Sequence, residues 1–149
     1  MQRVKLETEA RNWLANRLRT ASHARYTVSP EEELADSTRP DLRIHAPAID
    51  APVVIELKLA DTGWTITSLC ERLRNQLVGQ YMRDVRSNCG VFLLVLRKNK
   101  RWKNPGTNFM ITFNDLVKLL DSEAKIILNE RNDIQEIKVI GIDLTKRNC

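Results

Sequence analysis

Asp41, Glu56 and Lys58 are the residues of this chain whose types and spacing could do chemistry together. Glu56 and Lys58 stand two apart in the apolar run PVVIELKLA (52–60). Asp41 opens the alternating segment DLRIHA (41–46) shortly before it. Two carboxylates held close repel one another, and a divalent cation reverses that penalty because Mg²⁺ selects hard oxygen ligands. An ammonium beside them can hold or help deprotonate a metal-bound water and counter the charge on a scissile phosphate. The metal lowers the pKa of that water and neutralises phosphoryl oxygens. Taken together, the three side chains imply metal-assisted hydrolysis of a phosphodiester.

These residues need elements that bring them together. Side chains alternate faces along a strand. In the second segment Val53, Ile55, Leu57 and Leu59 point to a core, while Glu56 and Lys58 share the other face. In the first, Leu42 and Ile44 face the core, with Asp41, Arg43 and His45 opposite. If residues 47–50 form the hairpin loop, Ala46 pairs with Ala51 and Asp41 falls directly across from Glu56. Their Cβ atoms would then lie roughly 5 Å apart. A bulge or a shorter loop would flip the parity. The plain alternative for Glu56 and Lys58 is an ion pair on a solvated sheet face.

Around this hairpin the periodicity predicts a helix over 4–20, in which Ala10, Leu14 and Leu18 recur at helical spacing. A β-prone stretch, 25–29, follows, and then the acidic and turn-rich residues 31–40. A long helix is expected from Thr67 to about Arg86, with Leu69, Leu73, Leu77 and Tyr81 as its buried stripe. The run VFLLVL (91–96) suits a strand buried on both faces. A helix over 114–128, with Asn114 as its cap, and a strand over 137–144 complete the chain. The reading is one α/β domain over 1–149, a mixed sheet flanked by helices in the order α-β-β-β-α-β-α-β.

The composition agrees. A hydrophobic share of 42% and a charged share of 29% are those of a globular domain. No apolar run is long enough to span a bilayer, and the charged N-terminus has no secretory-signal stretch. Cys70, Cys89 and Cys149 have no metal-site spacing, so a reducing, cytoplasmic setting is expected. His23 and His45 read as structural. The net charge of +5 suits a polyanionic partner.

Pro40-Asp41 followed by Glu56-Leu57-Lys58 resembles the paired signatures of the PD-(D/E)xK nuclease superfamily. The element order also resembles that family's restriction-endonuclease-like core, over most of the chain. The resemblance implies a Mg²⁺-dependent nuclease, with Mn²⁺ able to substitute, that acts on DNA, with endonuclease action the expected mode. RNA is not excluded by these residues. It implies that Asp41 and Glu56 bind the metal, that the backbone carbonyl of Leu57 joins them, and that an acidic residue on the first helix supports the site. Glu7 and Glu9 are the candidates, and Glu7 is preferred because it borders the buried face. Branches similar to RecB-type and Holliday-junction nucleases carry a glutamine, three residues and then a tyrosine on the helix after the Glu-x-Lys strand. Here Gln76 has Gln80 at the tyrosine's place, and Tyr81 falls one residue late, so either glutamine is a candidate.

The densest basic run, Arg97–Asn104, contains Lys98, Lys100, Arg101, Trp102 and Lys103. It reads as a loop that tracks phosphates, with Trp102 stacking a base. Arg39 could meet a phosphate beside Asp41, and Arg72, Arg74, Arg83 and Arg86 add charge along the long helix. The rival reading is an inactive nuclease-fold module that binds nucleic acid or another protein. No Walker-type loop or sensor is present, so a regulatory partner, a fused regulatory domain or a homodimer is expected to supply control.

Overall fold

The computed structural model describes residues 2–30, 41–48, 50–83 and 85–146. Helix α1 (Gln2–Ser22) is followed by three antiparallel strands: β1 (Thr27–Pro30), β2 (Leu42–His45) and β3 (Val53–Leu59). A helical segment then runs from Ile66 to Met82 and leads into β4 (Cys89–Leu96). A short hairpin, β5 (Trp102–Lys103) and β6 (Met110–Ile111), precedes α3 (Phe113–Glu130) and β7 (Glu136–Asp143). The order differs from the expected one by that hairpin.

The main sheet is five-stranded and mixed, in the order β1-β2-β3-β4-β7, with β3, β4 and β7 parallel. The fold is therefore α/β, a mixed sheet flanked by helices. Each face of the sheet has its own core. Ile55, Leu57 and Leu59 of β3 join Leu42, Leu93 and Val95 beneath α1. Val54 and Ala60 join Phe92, Leu94 and Val139 on the opposite face, beneath the middle helical segment and α3. The face that carries Glu56 and Lys58 is thus packed, and the solvated ion pair weighed above is not what forms. Parallel strands with crossover helices on both faces leave neither face wet.

The expected register holds. Leu42 pairs with Ile55, Arg43 with Val54 and Ile44 with Val53. One step further in the same register sets Asp41 against Glu56.

The middle segment departs from the expectation in its winding. Residues Ile66–Glu71 (α2) are α-helical and capped by Thr65, whose side chain accepts from the Ser68 N–H. Arg72–Met82 continues as a π-helix of 11 residues. A π-turn holds more residues than the 3.6 of an α-turn, which moves residues five apart onto one side. Leu69, Leu73, Leu77 and Tyr81 are all buried, as expected. Arg74 ties this segment to α3 through Glu123 (2.8 Å) and Glu130 (2.6 Å).

α3 begins one residue earlier than expected, and Thr112 rather than Asn114 caps it. Thr112 and Asp115 form a reciprocal capping box, which satisfies backbone donors that the first turn leaves over. Among the described residues no helix is long and apolar enough to cross a membrane.

Candidate active site

β3 delivers Glu56 and Lys58 into the interior, 3% and 6% exposed, and their side chains meet: the Lys58 Nζ donates to Glu56 Oε1 at 2.7 Å. Asp41, just ahead of β2, reaches across so that its Oδ2 accepts the Leu57 N–H at 2.7 Å. That bond fixes the aspartate's carboxyl between the two strands.

Burial dominates the electrostatics. It pushes the Asp41 carboxyl up to about 6, against the pull of Lys58 and the Leu57 N–H, with Glu7 raising it and Arg11 lowering it further. Glu56 is pushed up to about 8, first by burial and then by the charge of Asp41, with Lys58 opposing and Glu7 adding to the rise. Asp41 and Glu56 therefore sense each other, and the charge of Glu7 on α1 reaches both. Glu7 is the α1 glutamate that takes part; Glu9 is exposed.

Three acceptors around this cluster, Glu7 Oε1, Glu56 Oε2 and Gln76 Oε1, are buried without a hydrogen-bond partner. A buried acceptor left unsatisfied costs about 1–3 kcal/mol. Oxygen acceptors lacking donors beside a carboxylate pair fit a hard divalent cation. Among the described residues no three His, Cys, Asp or Glu side chains converge as a ready metal-binding group, and the Lys58 ammonium rests on Glu56 instead. Asp41 and Glu56 are the side chains that could hold the ion, and the charge of Glu7 reaches both.

The two glutamines of the π-helix differ in burial and in partner. Gln76 is buried, and its Nε2 donates to the Tyr81 hydroxyl. In an α-helix residues five apart point to different sides; the wider π winding absorbs the extra residue and brings Gln76 and Tyr81 together. The Tyr81 phenol is pushed up by burial and by the charges of Glu56 and Asp41, so it stays neutral and lies within their field. Gln80 is half-buried and lines a polar cleft together with Trp64, Ser68, Glu71, Asn75 and Gln76 itself.

Other side chains were missed by sequence reasoning. Arg11 is buried on α1 and acts on Asp41; the signal available was its place one turn after Glu7. Trp64 holds Lys58 and Arg72 over its ring, with cation-to-centroid distances of 5.2 and 5.6 Å. Nothing in the local pattern marks this tryptophan, which follows a turn.

The basic run divides. Trp102 is 3% exposed and packs against Phe113 with centroids 6.1 Å apart, so it is a core residue and not a base-stacking one. Its strand β5 pairs with β6, which buries the ring against α3. Arg97 is held by Asp61 (3.1 Å), and Lys100 donates to the Trp64 carbonyl (3.4 Å). Lys98, Arg101 and Lys103 are exposed. Lys100, Arg101 and Lys146 line a cleft of about 640 Å³ at the start of α3. Of the helix arginines, Arg74 is committed to α3. Arg39 lies outside the described residues. His23 and His45 stand apart from the cluster, at the end of α1 and the end of β2.

Comparison with models of known families, with curated proteins and with solved structures finds no match. The functional reading rests on the site itself.

Proposed function

We propose that the chain is a metal-dependent nuclease that hydrolyses phosphodiester bonds of DNA, on a restriction-endonuclease-like fold of the PD-(D/E)xK superfamily. The observation that carries this reading is the burial of Glu56 and Lys58 on β3, with the half-buried Asp41 bonded to the Leu57 N–H between them and donorless oxygens beside. Lys58 compensates one oxygen of Glu56, and the other is buried with no donor, which leaves a place for a cation. Asp41 and Glu56, with Glu7 and the Leu57 carbonyl in support, would hold Mg²⁺ or Mn²⁺, which would supply Lewis acidity at the phosphate.

The chain's own groups do the rest. Lys58 holds the attacking water and neutralises charge on the phosphate. The water oxygen bonds to phosphorus while the ester P–O bond breaks, its electron pair going to the leaving oxygen. One proton of the water ends on that oxygen, which yields a phosphomonoester and an alcohol. Gln76 and Tyr81 close the site on the helix side. Trp64 holds Lys58 by its ring face, which limits where the ammonium can travel.

The test is nicking of supercoiled plasmid with Mg²⁺ or Mn²⁺. Wild type is expected to cut, and Glu56→Ala, Lys58→Ala and added chelator each to abolish cutting. Cutting that survives both substitutions sinks the assignment. The second reading, an inactive nucleic-acid-binding module, draws on the Lys58–Glu56 contact at 2.7 Å, where an internal cation already sits on the carboxylate. Salt-sensitive DNA binding without metal-dependent cutting would favour it.

A further inference from the structure

Arg11 lies on α1 one helical turn beyond Glu7. It is 8% exposed, and its Nε is buried with no hydrogen-bond partner. It makes no ion pair among the described residues, and Glu7 keeps its own Oε1 unpartnered. Its charge nevertheless reaches the Asp41 carboxyl, as does that of Lys58 from β3. The Nε is thus a buried donor left over, at a cost of about 1–3 kcal/mol. Packing does not call for it: Ala15, Leu14 and Leu18 already bind α1 to the sheet. An anion that arrives from outside would supply the missing partner.

The charge balance says which anion. With the carboxyls ionised, as ligation requires, Glu7, Asp41 and Glu56 bring three negative charges, and Lys58 and Arg11 bring two positive ones. One divalent cation and one singly charged phosphodiester make this assembly neutral. A second divalent cation would leave two positive charges uncompensated in a buried site.

We propose that Arg11 is a catalytic residue that takes a non-bridging oxygen of the scissile phosphodiester. It supplies the charge a second metal ion would otherwise bring, and the site works with one divalent cation. This rests on the nuclease reading above. The guanidinium fork matches two oxygens of one phosphoryl group. As the water oxygen bonds to phosphorus and the ester bond breaks toward the leaving oxygen, negative charge gathers on those oxygens, where a fixed cation counts most.

The experiment compares wild type, Glu56→Ala, Arg11→Met and Arg11→Lys. Free Mn²⁺ is followed by electron paramagnetic resonance without DNA, thermal unfolding without metal, and nicking of plasmid with Mg²⁺. Wild type is expected to bind one Mn²⁺ per chain. Arg11→Met is expected to keep that stoichiometry and to unfold at the same or a higher temperature, because it removes a buried donor that has no partner in the chain. Its nicking should fall about 10²–10³-fold, the loss typical of one transition-state donor, and Arg11→Lys should recover part of it.

Arg11→Met cutting at the wild-type rate overturns the proposal while Glu56→Ala, if inert, leaves the nuclease reading intact. A lowered melting temperature in Arg11→Met, with Arg11→Lys as inactive, makes the guanidinium structural and also overturns it. Two Mn²⁺ per wild-type chain overturn the one-metal claim. If wild type does not cut, or Glu56→Ala still does, the nuclease reading falls and takes the role of Arg11 with it.

Discussion

The buried Glu56 and the half-buried Asp41 keep their protons more readily than in the unfolded chain, up to about 8 and about 6 respectively. Between the ordinary carboxylate range and those values the unfolded chain gives up protons that the folded one keeps. Stability therefore falls as pH rises across that window and levels off above it. Without metal, the melting temperature should drop between pH 5 and pH 8, at about 2–4 °C per kcal/mol for a chain of this size. Mg²⁺ binds the deprotonated form, so its stabilising effect should be small at pH 5 and largest at pH 8 and above. Glu56→Gln removes the dominant titrating group; a calorimetric pH series on it should be flatter and lack the Mg²⁺ response. An unchanged pH slope in that variant would show that Glu56 is not the group responsible.

Two elements carry consequences of their own. The π-helix over Arg72–Met82 turns Tyr81 toward Gln76, and the hydrogen bond between them closes the helix side of the site. Tyr81→Phe keeps the ring in the core and loses only the hydroxyl. It should cost about 1 kcal/mol in urea unfolding and reduce nicking by more than that loss of stability explains. β7 packs on α3 through Gly141, where an added Cβ would lie 2.6 Å from Val117 Cγ2 and 3.1 Å from the Phe113 ring. Gly141→Ala is expected to destabilise by about 1–3 kcal/mol through overpacking, read from the denaturant midpoint, with no direct effect on the site. The capping box of α3 is a smaller lever: Thr112→Ala should cost about 1 kcal/mol.

At the scale of the whole molecule, the net charge of +5 is spread unevenly. Lys98, Arg101 and Lys103 project from the β4–β6 region, and Lys100 and Lys146 line the cleft at the start of α3. A polyanion bound there would be held through its backbone. Removing Lys98 or Lys103 should weaken DNA binding uniformly across sequences, and each phosphate no longer neutralised should lower the slope of log K against log salt by about 1. Trp102→Ala should behave differently. Its cost should be about 3–5 kcal/mol of stability, as for a core aromatic, with the salt slope unchanged in the folded fraction. Fluorescence anisotropy over a salt series separates the two outcomes.

Period-two alternation on either side of a short loop was enough to set Asp41 opposite Glu56, because a hairpin's register follows from loop length and parity. The sheet's strands and the two longer helices were equally legible, since local hydrophobic period marks them. What covers a strand face is a different matter, decided by chain segments far away in sequence. Glu56 and Lys58 lie under the middle helical segment, and that burial is what raises the glutamate's proton affinity. Trp102, polar neighbours on both sides, became a core residue because a two-residue strand turned it onto Phe113. Nothing in the local pattern beyond its place one turn after Glu7 singled out Arg11, whose charge reaches Asp41 once α1 packs on the sheet. The π winding likewise left no local mark, and it brings Tyr81, one residue late in the sequence pattern, onto Gln76. The sequence by itself determined which carboxylates meet. Tertiary packing decided how far from water they meet, and what stands around them, because desolvation depends on neighbours that no local pattern names.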